Sequence, residues 1–125
     1  MARILLIDDD ETVRYALKQV EERAAHQVEE ASDRQVGVEK FEVHKPDLVI
    51  TDIIMPNQEG IETIIKLRRL APEVVIIAMS GGGRTGNRDF LTMAEKLGAA
   101  KVMAKPFRPK ELVEAVAALL APVAA

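Results

Sequence analysis

The stretch Ile4-Leu5-Leu6-Ile7-Asp8-Asp9-Asp10 sets four consecutive aliphatic side chains against three consecutive aspartates. An unbroken apolar run of that length, without alternation, reads as a strand covered on both faces, as in parallel sheets. The run is also too short for the core of a signal peptide. Outward from it the same pattern recurs. Leu48-Val49-Ile50 ends near Asp52, Val74 to Met79 ends at Ser80, and Lys101-Val102-Met103-Ala104 ends at Lys105. A weaker strand is expected at Gln27 to Ala31.

Helical spacing fills the gaps. Val13, Ala16, Leu17, Val20 and Ala24 recur at one face of a helix. Ile61, Ile64, Ile65 and Leu67 form a second stripe, closed by Pro72. Phe90, Ala94 and Leu97 form another, stopped by Gly98. Pro109 suits the first turn of a last helix carrying Leu112, Val113, Val116, Leu119 and Leu120. Arg34 to His44 is the least regular segment, because Gly37 and its β-branched residues weaken a helix. Five β-α units with short connections predict a mainly parallel sheet with helices on both faces, in one domain over residues 1–125.

Bulk composition narrows the function. The 125 residues are 48% hydrophobic, enough to form a core rather than a disordered chain. A net charge of −3 argues against a nucleic-acid binder. No cysteine is present, which excludes disulfides and thiolate metal sites and fits a cytoplasmic location. No apolar run approaches the length of a membrane span.

Sites in open α/β sheets form at the carboxyl ends of strands. The polar residues there are Asp8, Asp9 and Asp10, then Asp52, Ser80 and Lys105. Bringing Asp8, Asp9 and Asp52 together is costly in like charge and calls for a cation. An all-oxygen set suits Mg²⁺, with Mn²⁺ as the substitute. Such a metal with Lys105 and a hydroxyl at Ser80 makes a phosphoryl-binding pocket. Asp52 is the better nucleophile, since it stands alone at its strand end.

With those pieces in place, the chain resembles the receiver domain of two-component response regulators over nearly its whole length. The resemblance rests on Ile4 to Asp10, on Asp47-Leu48-Val49-Ile50-Thr51-Asp52-Ile53-Ile54-Met55-Pro56 followed by Gly60, on Ser80, and on Lys105-Pro106-Phe107. It implies the chemotaxis-type receiver fold, a flavodoxin-like (βα)5 doubly wound sandwich around a five-stranded parallel sheet. It implies Asp52 as the phospho-acceptor, Asp9 as a direct metal ligand, Asp8 acting mostly through water, and the Ile54 carbonyl completing the metal site. Ser80 and Lys105 would bind the phosphoryl oxygens. The implied donor is a histidine kinase or phosphotransfer protein, and the implied reader is an effector protein or an output domain. Such a switch assists its own phosphorylation and dephosphorylation and is not an enzyme acting on a separate substrate. No effector domain lies within the 125 residues, which fits both a stand-alone receiver and a piece of a longer regulator. Two positions depart from the family pattern. Gly81-Gly82-Gly83 follows Ser80, and Val102 stands where the family often has Tyr or Phe.

Plainer roles are expected for several other residues. Asp10 reads as a helix N-cap. The three glycines lack the ending of a P-loop and read as a flexible loop. His26 and His44 read as surface residues, Arg68-Arg69 as a solvated helix face, and Met79, Met93 and Met103 as core fillers. Two rivals follow. Asp8-Asp9-Asp10-Glu11-Thr12 fits the Asp-x-Asp-x-Thr opening of haloacid-dehalogenase-like phosphatases, but only Glu111 and Glu114 remain as later acidic ligands and Asp52 is left without a role. The other is a receiver that only docks and is never phosphorylated.

Overall fold

All four apolar runs form strands, and so does the weaker fifth segment. The computed structural model describes residues 2–53, 59–80, 92, 94–104 and 107–120, with backbone alone for 59–61 and 80. The strands are β1 (Arg3–Ile7), β2 (Gln27–Ala31), β3 (Leu48–Asp52), β4 (Val75–Ser80) and β5 (Lys101–Ala104). The helices are α1 (Glu11–Arg23), α2 (Arg34–His44), α3 (Glu59–Leu70) and a C-terminal helix (Pro109–Leu120). Helical residues 92 and 94–96 stand between β4 and β5, so helical structure follows every strand.

All four strand pairings are parallel, and the order is β2-β1-β3-β4-β5. The aliphatic runs are continuous because both faces of the sheet are covered. Leu5, Ile7, Val49, Ile76 and Ala78 point to one face, where they meet Phe41 of α2 and Ile64 and Leu67 of α3. Ile4, Leu6, Leu48, Ile50, Ile77 and Met79 point to the other, where they meet Leu17 of α1 and Leu112 and Val116 of the C-terminal helix. Fully burying each of these large side chains is worth ~1.5–3 kcal/mol. Met79 and Met103 are core residues, as expected, and Met93 lies outside the described residues.

The doubtful segment Arg34 to His44 is a helix, and its glycine has a positive use. A Cβ on Gly37 would stand 2.6 Å from Cδ1 of the buried Ile7. Helix propensity is given up there so that α2 can lie against β1. Asp33 caps this helix, accepting from the Val36 amide at 2.9 Å.

Three expectations need correction. Ala16 is exposed, and the buried polar residue of α1 is Glu21, which helical counting of apolar residues passes over. His26 is not a free surface residue: its Nδ1 accepts from the Ala2 amide at 3.1 Å, and its Nε2 lies 4.0 Å from Glu21 Oε2. Arg68 is half-buried and is not a free solvated side chain. It donates to the carbonyls of Pro72 and Val74, both at 2.7 Å, and to that of Gly98, so it ties the end of α3 to two later turns. Arg69 and His44 are exposed, as expected.

Candidate functional site

The parallel registers deliver three carboxylates to one place. Ile7 pairs with Thr51 across β1 and β3, so Asp8 and Asp52 leave adjacent strands at the same level. Asp9 follows in the β1–α1 turn. One carboxylate oxygen from each of Asp8, Asp9 and Asp52 falls within 4.8 Å of the other two. Asp8 and Asp52 are buried and Asp9 is exposed, which gives the trio a closed floor and an open side.

Local hydrogen bonds hold this arrangement. The Asp8 amide donates to the Ala31 carbonyl at 3.1 Å, which ties it to the end of β2. Asp8 Oδ1 accepts from the Asp10 amide at 2.8 Å. Asp10 itself accepts from the amides of Thr12 at 2.9 Å and Val13 at 3.3 Å, so it is the N-cap of α1 and not part of the trio. After Asp52, the Ile53 amide donates to the Met79 carbonyl at 2.8 Å, and Ile53 is buried. That keeps the start of the β3–α3 connection pinned to the sheet.

Asp52 is the last residue of β3 and Ser80 the last of β4. Asp52 pairs with Met79, so the backbone of Ser80 stands one step beyond Asp52 on the neighbouring strand. Ser80 pairs in turn with Ala104, the residue before Lys105. Lys105 and Ile54 lie outside the described residues, as do Gly81 to Gly83 and Pro106. Val102, at the family's frequent aromatic position, is half-buried and packs against the cluster that includes Ala94 and Ala99.

Chemically, three ionised oxygens at such short range repel unless a cation joins them. Their donor set is all oxygen and open on one side. This is the choice of a hard divalent cation that keeps part of its water, so the residues fit Mg²⁺. Glu111 and Glu114, which a dehalogenase-like phosphatase would need as ligands, are exposed on the C-terminal helix. Among the described residues, Asp8, Asp9 and Asp52 are the one acidic group able to hold a metal.

Sequence reading missed Arg14 and Glu30. Arg14 Nη1 donates to the Asp8 carbonyl at 2.5 Å, and its Nε lies 3.5 Å from Glu30 Oε1. A cation one helical turn after Asp10 is the signal that could have drawn attention to Arg14. Nothing local marks Glu30.

A doubly wound parallel sheet with an acidic trio at the carboxyl ends of adjacent strands defines a class of α/β domains with a cation-type site. The sequence matches the response regulator receiver domain over residues 4–117, and the chain belongs to that family, whose members are phospho-acceptor switches of two-component signalling. It is 36% identical over 115 residues to the chemotaxis protein CheY of Thermotoga maritima, covering 91% of this chain and 93% of that protein. It is also 36% identical over 117 residues to the transcriptional regulatory protein PdtaR of Mycobacterium tuberculosis, of which it spans 54%. A CheY-like receiver domain structure from Methanospirillum hungatei matches with a TM-score of 0.86 at 30% identity, covering 96% of this chain and 94% of that one.

Proposed function

We propose that this chain is a receiver domain over residues 1–125 that accepts a phosphoryl group on Asp52 in a Mg²⁺-dependent reaction, Mn²⁺ serving in its place. The observation that carries the reading is the carboxylate trio of Asp8, Asp9 and Asp52 at the carboxyl ends of β1 and β3.

Asp9 is the direct metal ligand, Asp8 acts mostly through water, and the Ile54 carbonyl completes the set. The metal, when bound, supplies positive charge that neutralises the equatorial oxygens of the transferred group. A carboxylate oxygen of Asp52 attacks phosphorus in line. The phosphorus–nitrogen bond of a donor phosphohistidine breaks as the phosphorus–oxygen bond forms, and the imidazole leaves. Ser80 donates a hydrogen bond to one phosphoryl oxygen, and Lys105 pairs with another. The later attack of water on phosphorus returns Asp52 and releases phosphate. The protein thus assists its own modification and turns over no separate substrate.

Its partners are a histidine kinase or phosphotransfer protein upstream, and an effector protein or an attached output domain downstream. The mild net acidity speaks for a protein reader rather than direct nucleic-acid contact. No described helix is long and apolar enough to cross a membrane, and a cytoplasmic site of action accords with the supply of phosphohistidine donors there.

Incubation with a small acyl phosphate and Mg²⁺, followed by intact mass, tests the reading. The parent should gain one phosphoryl mass, and Asp52→Asn should gain none. Full labelling of Asp52→Asn would move the acceptor elsewhere, and labelling at Asp8 would favour the phosphatase chemistry.

A further inference from the structure

Strand β2 lies at the sheet edge and contributes no carboxylate to the acidic trio, yet two of its consecutive residues grip Asp8. The Ala31 carbonyl accepts from the Asp8 amide at 3.1 Å. Glu30, one residue earlier, faces the Nε of Arg14 at 3.5 Å, an ion pair without hydrogen-bond geometry. Arg14 in turn donates from Nη1 to the Asp8 carbonyl at 2.5 Å. Asp8 is therefore held at its N–H by β2 directly and at its C=O by β2 through Arg14. Its Oδ1 is held by the Asp10 amide. The Arg14 side chain is 14% exposed, so the guanidinium is largely removed from water and its orientation is set by these partners.

We infer that Arg14 is a positioning residue for the metal site, and that Glu30 on β2 sets Arg14. This rests on the reading of Asp8, Asp9 and Asp52 as a Mg²⁺ site. The Asp8–Asp9 peptide is the hinge of that site, because its rotation would swing both carboxylates. A guanidinium bonded to the Asp8 carbonyl fixes that peptide plane. Groups that orient metal ligands in this way commonly matter by tenfold to a hundredfold in affinity.

Charge alone argues the opposite sign. A cation beside the trio repels Mg²⁺, so its removal would tighten binding. Glu30 offsets that charge at 3.5 Å, and Lys18 stands 3.5 Å from the other Glu30 oxygen. The three form a compact plus-minus-plus array rather than an isolated cation, and the orienting contribution outweighs the repulsion. Lysine in place of Arg14 keeps the charge but lacks the planar fork that reaches Asp8 and Glu30 together.

The test is a MgCl₂ titration by calorimetry on the full chain, with the metal-free melting temperature as a check of folding. Arg14→Met is expected to weaken Mg²⁺ binding about tenfold, and Arg14→Lys to recover little of it. Glu30→Gln should weaken binding in the parent and add nothing in the Arg14→Met background. Glu30 is partly exposed, so Glu30→Gln carries the test should Arg14→Met fail to fold. Unchanged or tighter binding by Arg14→Met, or recovery by Arg14→Lys, overturns the positioning role. Multiplying effects of Arg14→Met and Glu30→Gln overturn the relay through β2. A parent that binds no Mg²⁺ overturns the metal site, and this inference with it.

Discussion

His26 Nε2 stands 4.0 Å from Oε2 of Glu21, a carboxylate that is 1% exposed and, among the described residues, finds no hydrogen-bond donor for either oxygen. The Ala2 amide donates to Nδ1 of the same ring, so the neutral imidazole carries its proton on Nε2, facing Glu21. Burial pushes the Glu21 carboxyl up from 4.5 to about 7, and burial also holds His26 below its ordinary value.

The raised value gives a signed prediction. The folded protein binds the Glu21 proton more tightly than the unfolded chain, so this contribution is fully present below about pH 4.5 and is lost as pH rises through about 7. Glu21→Gln removes the ionisation. In urea unfolding the variant should gain on the parent by up to about 3 kcal/mol between pH 4 and pH 8. His26 acts in the other direction: its contribution is present above about pH 6.5 and fades as pH falls. A parent and Glu21→Gln whose stabilities run parallel across that range would show that Glu21 ionises normally.

Metal binding should raise the melting temperature by mass action, as Mg²⁺ joins the three carboxylates. Asp9→Ala should abolish most of that rise. The same variant should melt higher than the parent in EDTA, because one of three repelling charges is gone. Identical curves with and without millimolar Mg²⁺ in the parent would contradict the site.

Asp10 should separate cleanly from its neighbours. Asp10→Ala loses the α1 cap and about 1 kcal/mol of stability. It should keep most of the phosphoryl mass gain, since the Asp10 amide that binds Asp8 Oδ1 survives the substitution. Loss of labelling at unchanged stability would reverse this assignment.

Gly98 has φ +107, and a Cβ there would lie 2.8 Å from Nε of Arg68. Gly98→Ala adds backbone strain and presses on the guanidinium that binds three carbonyls. A loss of about 1–2 kcal/mol in chemical unfolding is expected. Full stability in Gly98→Ala would mean that the turn readily adopts another conformation.

The sheet was legible in the sequence where strands are sandwiched, because Ile4 to Ile7 and Val75 to Met79 must be apolar on both sides. It was faint at Gln27–Ala31, an edge strand whose residues alternate between exposed and half-buried until Ala31. The acidic trio was legible because strand ends are fixed points of the fold, and Asp8 and Asp52 mark them. Arg14, Glu21 and Arg68 were not. Each is a charged residue on a helix, where composition suggests solvent, and each finds its partners only in the folded chain. Arg68 reaches Gly98, 30 positions away, and no local pattern encodes that.

The strand order has a further consequence for assembly on the ribosome. Three of the four pairings join strands consecutive in the chain, and only β1–β3 skips one. Each new strand therefore finds its neighbour already emerged, and a sheet of β2-β1-β3 can form once Ile53 has left the exit tunnel. Asp8, Asp9 and Asp52 can come within range of one another at that point, before the residues of β4 and β5 have emerged. The acidic trio is thus assembled early on the growing chain, and the strand ends of β4 and β5 join it last.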